Sequence, residues 1–288
     1  MKLAVIGLGL IGGSLARALR AGRGAGLVVT GYDTDPKQVR VAVDLGVVDQ
    51  APGSAHEAAR DADIVVIAVP VLHTADALAS ILPALGASTV VTDVGSTKQS
   101  VLADVARVCG GKLPVWFVAG HPIAGTEKSG VANSFADLFH GHRVILTPHA
   151  GQSAAARERV TRMWEADGAR VVEMDAARHD EIFAATSHLP HLLAYGFVDM
   201  LTRLPNHEEI FRSAGGGFRD FTRIASSSPQ MWHDILRANR DAVAQLLERQ
   251  IADLSEMLAL MKSAQWDDLK ARFERARAAR ERHLSQIE

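Results

Sequence analysis

One cysteine, Cys109, stands in a chain of 288 residues, so neither an intramolecular disulfide nor a thiolate zinc cluster can form. Such usage fits a reducing compartment, and a cytoplasmic location is the expectation. No uninterrupted apolar run approaches the roughly 20 residues that span a bilayer. The opening Met1-Lys2-Leu3-Ala4-Val5-Ile6 imitates a leader peptide, but glycines at 7, 9, 12 and 13 break it and it reads as a first strand. Charge of one sign is missing too: 31 Lys+Arg against 33 Asp+Glu leaves a net charge of −2. Nucleic acid and anionic membranes are therefore not expected partners, and an anionic substrate must be held by local basic residues. Internal repeats and low-complexity tracts are also lacking.

What the chain has is length enough for two hydrophobic cores. β-rich runs at 2–6, 27–32, 64–69, 89–94, 116–119, 143–147 and 170–173 alternate with Ala/Leu/Arg-rich helical stretches. That alternation predicts a mostly parallel sheet covered by helices, and the lack of a clean period of two fits strands buried on both faces. After about Met174 the strand signals stop. The expectation is an α/β Rossmann-type domain over 1–173 and an all-α domain over 174–288. Within the latter, Ile235, Leu236, Ala242, Val243, Leu246, Leu247, Ile251, Leu254, Met257, Leu258 and Met261 recur at helical spacing; this face is either ordinary core or a seam for a second chain. The Arg/Glu/Ala-rich tail from Leu269 reads as a solvated helix.

Gly7-Leu8-Gly9-Leu10-Ile11-Gly12 follows the first strand and opens a helix. In that context a GxGxxG run has a physical meaning. The first glycine allows a tight turn, the second lets a pyrophosphate approach the backbone, and the third allows close packing of helix on strand. Asp33 ends the next strand at the spacing where an acid binds adenosine ribose hydroxyls, and it would repel a 2′-phosphate. NAD is thus preferred to NADP. Val69 and Pro70, and the run Asp93-Val94-Gly95-Ser96, fall at carboxyl ends of later strands, the edge where open parallel sheets bind ligands.

His121, in Gly120-His121-Pro122-Ile123-Ala124-Gly125-Thr126-Glu127, is a candidate base, since a histidine titrates nearest neutrality. Ser96 is either a plain helix cap or a hydroxyl that orients His121 or the nicotinamide. His188 and His191 sit at i and i+3 with no carboxylate or cysteine pattern nearby, so an interdomain hydrogen-bonding role is preferred to metal binding. Gly215-Gly216-Gly217 leads into Arg219, Asp220 and Arg223, with Trp232 further on; arginines four apart share a helix face and can grip carboxylates, or else pair with Asp220 at the surface.

Together, the segments 7–14, 93–98, 121–130, 187–191 and 215–232 resemble the prephenate and arogenate dehydrogenase family of tyrosine biosynthesis, in the family's order and over nearly the whole chain. The resemblance implies a stand-alone enzyme, without a fused mutase segment or regulatory domain, whose helical half dimerises. It implies NAD-dependent oxidative decarboxylation: deprotonating a ring hydroxyl pushes hydride from its carbon to NAD, and aromatisation expels the ring carboxylate as CO2. No metal is needed. The product from prephenate is 4-hydroxyphenylpyruvate. By matching residues, His121 is the base and Ser96 the hydroxyl that orients it and the cofactor. His191 and His188 become second-domain site histidines, and Arg223 a carboxylate anchor with Gly216, Arg219, Asp220 and Trp232 around it. Thr126 and Glu127 border the substrate. Gly7, Gly9, Leu10, Ile11, Gly12, Asp33, Val69, Pro70 and Ser96 line the cofactor.

Three other readings compete. Arogenate preference or dual specificity keeps the same chemistry, with Glu127 or Asp220 as discriminating acids. A β-hydroxyacid or imine dehydrogenase would explain the architecture but leave the His121 and Arg223 segments coincidental. A non-catalytic NAD-binding module is disfavoured by intact Ser96, His121 and Arg223.

Overall fold

A computed structural model describes residues 1–23 and 26–284. By compactness the chain separates into Met1–Arg240 and Asp241–Glu288, so the first helices after residue 174 belong to the same unit as the sheets. In chain order the first unit contains β1 (Lys2–Ile6), α1 (Leu10–Arg23), β2 (Val28–Tyr32), α2 (Pro36–Asp44), α3 (Ala55–Ala59), β3 (Ile64–Ile67), α4 (Thr74–Ile81), β4 (Val90–Asp93), α5 (Gln99–Val108), β5 (Phe117–Val118), β6 (Gly120–Pro122), β7 (Arg143–Leu146), α6 (Ala154–Glu165) and β8 (Arg170–Glu173). The helices α7 (Ala176–Phe183), α8 (Leu189–Thr202), α9 (His207–Arg212), α10 (Gly216–Thr222) and α11 (Pro229–Ala238) complete it. In the second, α12 (Arg240–Lys262) and α13 (Trp266–His283) follow.

Five strands pair in parallel in the order β2-β1-β3-β4-β5. The sheet is sandwiched because its strands are apolar on both sides. Leu3 and Val5 of β1, with Ile64 and Val66 of β3, enter one apolar cluster with α1 and α6. Their neighbours Ala4, Ile6, Val65 and Ile67 enter another with α3, α4 and α5, which also takes Trp232 and Ile235 of α11. Successive side chains alternate faces, so a continuous apolar run serves both layers.

The expected strands all form, yet they do not make one sheet. After β5 the chain starts β6, which pairs antiparallel with β7, and β7 pairs in parallel with β8, giving a second, three-stranded sheet. Gly120-His121-Pro122 carries no strand signal of its own. It becomes a strand because β7 supplies its partners, His121 lying opposite Ile145.

Local chemistry sets the helix starts. Asp35 caps α2 through the Lys37 amide with Pro36 in the first turn, and Asp175 accepts from the amides of Ala177 and Arg178 to start α7. Ser228 caps α11 ahead of Pro229. Acceptor side chains there satisfy amides that have no partner inside the helix. Between α7 and α8 the backbone widens into a π-helical segment, Ala184–His188, the kind of local bulge that concentrates at functional sites.

In the second unit, Arg272 of α13 reaches the Asp253 and Glu256 carboxylates of α12, at 2.5 and 3.0 Å, and pins the two helices together. Ile251, Leu254, Leu258 and Met261 remain about half exposed on α12, as do Trp266 and Phe273 on α13. Within a single chain these positions are therefore not core. The tail from Leu269 is helical and mostly exposed as far as described; residues 285–288 lie outside the described residues.

Candidate active site

The first requirement, room for a dinucleotide, is met by the backbone at the carboxyl edge of the parallel sheet. Gly7 has φ of +105°, and a Cβ there would lie 2.4 Å from the Ala68 carbonyl oxygen beside Val69 and Pro70. Gly12 is equally confined, since its Cβ would meet the Gly7 oxygen at 2.2 Å and Val5 at 2.8 Å. Gly9 by contrast faces open space within 4 Å. Two glycines are thus required by the protein's own packing, and the middle one leaves the space a pyrophosphate needs at the α1 N-terminus, where the first-turn amides, including those of Leu10 and Ile11, are available. The Asp33 carboxylate accepts from the Leu8 amide at 2.7 Å and from the Asp35 amide at 2.8 Å. It therefore ties the glycine loop to the end of β2, in addition to any ribose contact.

The second requirement is a base. His121 on β6 is 9 % exposed, and its Nδ1 lies 2.8 Å from Nε2 of His179 on α7. In turn, His179 Nδ1 lies 2.8 Å from Oδ1 of Asp180. Asp180 is fixed by two backbone amides, Lys98 N at 2.7 Å and Gln99 N at 2.9 Å. Burial alone would raise the Asp180 carboxyl, but the bonds from His179, Lys98 and Gln99 outweigh it and hold it below the usual range. An ionised carboxylate only accepts. The tautomers follow from that: His179 donates from Nδ1, its Nε2 accepts, and His121 donates from Nδ1, which leaves the His121 Nε2 lone pair free to take a proton. Burial first, then the neighbouring His179, the Lys98 ammonium and His188, push His121 well below its ordinary value, so at neutral pH it is an unprotonated base.

Behind this pair lies a buried cation. Lys98, with no exposed surface, donates to Asp93 Oδ2 at 2.5 Å and to the Gly120 carbonyl at 2.6 Å. Asp93 also accepts from the amides of Gly95 and Gly120. This ion pair clamps the end of β4 to the start of β6, and so places His121.

Several expected residues fall elsewhere than the sequence suggests. Ser96 is half-buried between β4 and α5, and His121 Nδ1 is oriented by His179 rather than by the Ser96 hydroxyl. Serine remains a candidate only toward the cofactor and the outer face of the imidazole. His188 is not a surface for substrate: it is 1 % exposed and its Nδ1 faces the Asn239 amide at 3.0 Å. Asn239 also donates to the Asp180 carbonyl. Burial drives His188 down to about 4. His191 is half-buried, donates from Nδ1 to the Ser187 carbonyl at 2.8 Å, and stacks on Trp232 at 3.6 Å between ring centroids. Trp232 is buried and forms the floor under His191. Burial lowers the His191 pKa, the Ser187 bond opposes this, and the nearby Arg223 charge lowers it further. Arg223 itself begins the 3-10 turn Arg223–Ser226 that follows α10, so it does not share one regular helix face with Arg219. Gly216, Arg219, Asp220, Thr126 and Glu127 are exposed, and no ion pair joins Asp220 to either arginine among the described residues.

The functional residues that sequence reading missed are His179, Asp180, Lys98 and Asn239. The adjacent pair His179-Asp180 was visible, but nothing in its spacing points to a partner 58 positions earlier.

A parallel sheet with a glycine-lined nucleotide cradle and an unprotonated histidine at its carboxyl edge defines a dinucleotide-dependent dehydrogenase class. Comparison narrows it. The family described as "Prephenate dehydrogenase, nucleotide-binding domain" matches residues 15–173, and "Prephenate dehydrogenase, dimerization domain" matches 175–275. The chain belongs to the prephenate dehydrogenase family. It is 37 % identical over 281 residues to the cyclohexadienyl dehydrogenase of Zymomonas mobilis, covering 96 % of this chain and 94 % of that one. With the Bacillus subtilis prephenate dehydrogenase it shares 35 % identity, over 96 % and 74 % of the two chains. The crystal structure of Aquifex aeolicus prephenate dehydrogenase in complex with hydroxyphenyl propionate and NAD+ superimposes with a TM-score of 0.89 at 35 % identity, covering 98 % of each chain. Synechocystis arogenate dehydrogenase gives a TM-score of 0.79 at 26 % identity, over 98 % of this chain and all of that one.

Proposed function

We propose that this dehydrogenase oxidatively decarboxylates prephenate to 4-hydroxyphenylpyruvate with NAD, as a homodimer in the cytoplasm. The observation that carries the reading is the His121–His179–Asp180 chain, which leaves a neutral imidazole with its Nε2 lone pair unused on β6, tied through Asp93 and Lys98 to the carboxyl end of β4.

His121 takes the proton of the ring hydroxyl at Nε2. Bound NAD+ supplies the hydride acceptor. His179 and Asp180 hold the resting imidazole in one tautomer and one orientation, so the base is aimed before the substrate arrives; such positioning is worth roughly 7–11 kcal/mol in favourable cases. Arg223 beside His191 offers a cation and a neutral ring for a substrate carboxylate, and the Trp232 ring keeps His191 in plane. Asp33 favours NAD, since both its oxygens already serve backbone amides as an anion and a 2′-phosphate would meet that charge. The half-exposed apolar stripe of α12 is the surface a second copy would cover.

NADH formation by the purified protein with prephenate, in parallel with arogenate and with NADP, tests the reading. Turnover is expected with prephenate and NAD. A higher kcat/KM with arogenate would reassign the substrate within the family, and activity confined to simple hydroxyacids would overturn the proposal.

A further inference from the structure

A base that accepts a proton while buried must put the resulting positive charge somewhere, and the surroundings of His121 and His179 are unequal. The Lys98 ammonium, which has no exposed surface and is fixed by Asp93 and the Gly120 carbonyl, disfavours a proton on either ring. Beside His179 stands the Asp180 carboxylate, hydrogen-bonded at 2.8 Å and held ionised by two backbone amides. His188, also packed near the pair, is kept neutral by burial and by facing Asn239, so it brings no competing charge at neutral pH. Phe183 packs against both rings, at 4.9 and 4.5 Å between centroids, and helps exclude water. Inside a protein, a cation with a carboxylate beside it and a cation without one differ strongly in energy, because the low dielectric screens neither.

We propose that the substrate's proton does not remain as a charge on His121: as Nε2 of His121 takes it up, the proton on Nδ1 of His121 crosses to Nε2 of His179. The O–H bond of the substrate breaks and an N–H bond forms at His121 Nε2. The N–H bond at His121 Nδ1 breaks and one forms at His179 Nε2. His121 ends as a neutral imidazole in the other tautomer, and His179 ends as an imidazolium against Asp180. Asp180 stays ionised throughout, so the transfer runs between two groups of like intrinsic basicity rather than from histidine to carboxylate. Asp180 is the positioning residue that polarises the pair: Lys98 disfavours charge on both rings, and Asp180 draws it to His179.

The inference rests on the proposed alcohol oxidation, and its test separates the two. The hydride-transfer rate is measured in single turnovers with prephenate and NAD in mixtures of H2O and D2O. Two protons in flight give a rate that curves with deuterium fraction; one gives a straight line. The curve is expected for the wild type. His179→Gln keeps an acceptor for His121 Nδ1 but cannot take a proton, so a straight line and a rate lower by roughly tenfold to a hundredfold are expected. Asp180→Asn should also straighten the plot. NAD binding and thermal melting of each variant report folding independently, and the wild-type curve stands even if a variant fails to fold. No NADH from prephenate would sink the functional reading and this inference with it. Turnover with a straight line in the wild type would sink this inference alone.

Discussion

The five-stranded and three-stranded sheets solve different problems by different means. In the first, function is written into backbone shape: Gly7 and Gly12 are confined by Ala68 and Val5, and Gly9 is left open. In the second, function rests on a side chain: His121 on β6 is useful only because His179, Asp180 and Lys98 surround it. Backbone shape is encoded where it is used. A side chain's electrostatic setting is assembled from residues far apart in the chain.

Replacing the base should give the largest effect. His121→Asn keeps a polar group on β6 but removes the basic nitrogen, and kcat is expected to fall by about 10²- to 10⁴-fold, the usual share of a general base, with NAD affinity unchanged in fluorescence titration. Loss of NAD binding as well would mean that the two sheets do not divide their work in this way.

Acid should act next, and mainly on the second region. His188 sits at about 4 when folded and near 6.5 when unfolded. The unfolded chain therefore binds the extra proton between those values, and stability falls as pH drops from 6.5 toward 4, by up to about 3 kcal/mol. Denaturant melts at pH 7 and pH 4.5 should show the loss, and His188→Gln should shrink it. His121, also held low, predicts that kcat persists below pH 6.5 before its acid limb appears.

The glycine cradle offers a finer contrast. Gly7→Ala forces a Cβ into the Ala68 carbonyl at φ of +105°, which should cost roughly 1–3 kcal/mol and lower the melting temperature. Gly9→Ala meets no protein atom within 4 Å, so its melting temperature should hold while NAD affinity drops. Equal melting losses in both would show that the middle glycine is structural too.

This contrast also explains what the sequence made legible. The alternation of apolar runs and helices, the glycine turn and Asp33 at the end of β2 are local signals, and each forms where expected. β6 escaped because Gly120-His121-Pro122 pairs with β7, more than twenty positions away. The His121 segment was recognisable, with Ser96 25 positions earlier as a candidate partner, but nothing in it points to the imidazole 58 positions later that meets its Nδ1. Lys98 has no signal of its own in the sequence, and only the structure reveals its buried ion pair with Asp93. His188 and His191 read as equivalent by spacing. The π-helical segment before α8 and the packing of α11 separate them, one onto Asn239 and the other onto Trp232.

The base and its nearest partner lie on opposite sides of the junction between the two family segments, which end at residue 173 and resume at 175. That placement constrains any exchange of halves between relatives. A chimera cut there inherits His121 from one parent and His179, Asp180 and Asn239 from the other, and it works only if both parents place their rings alike. The two halves are compatible as gene fragments only where this imidazole contact, the Lys98 and Gln99 amides on Asp180 and the packing of Trp232 under the sheet are preserved together.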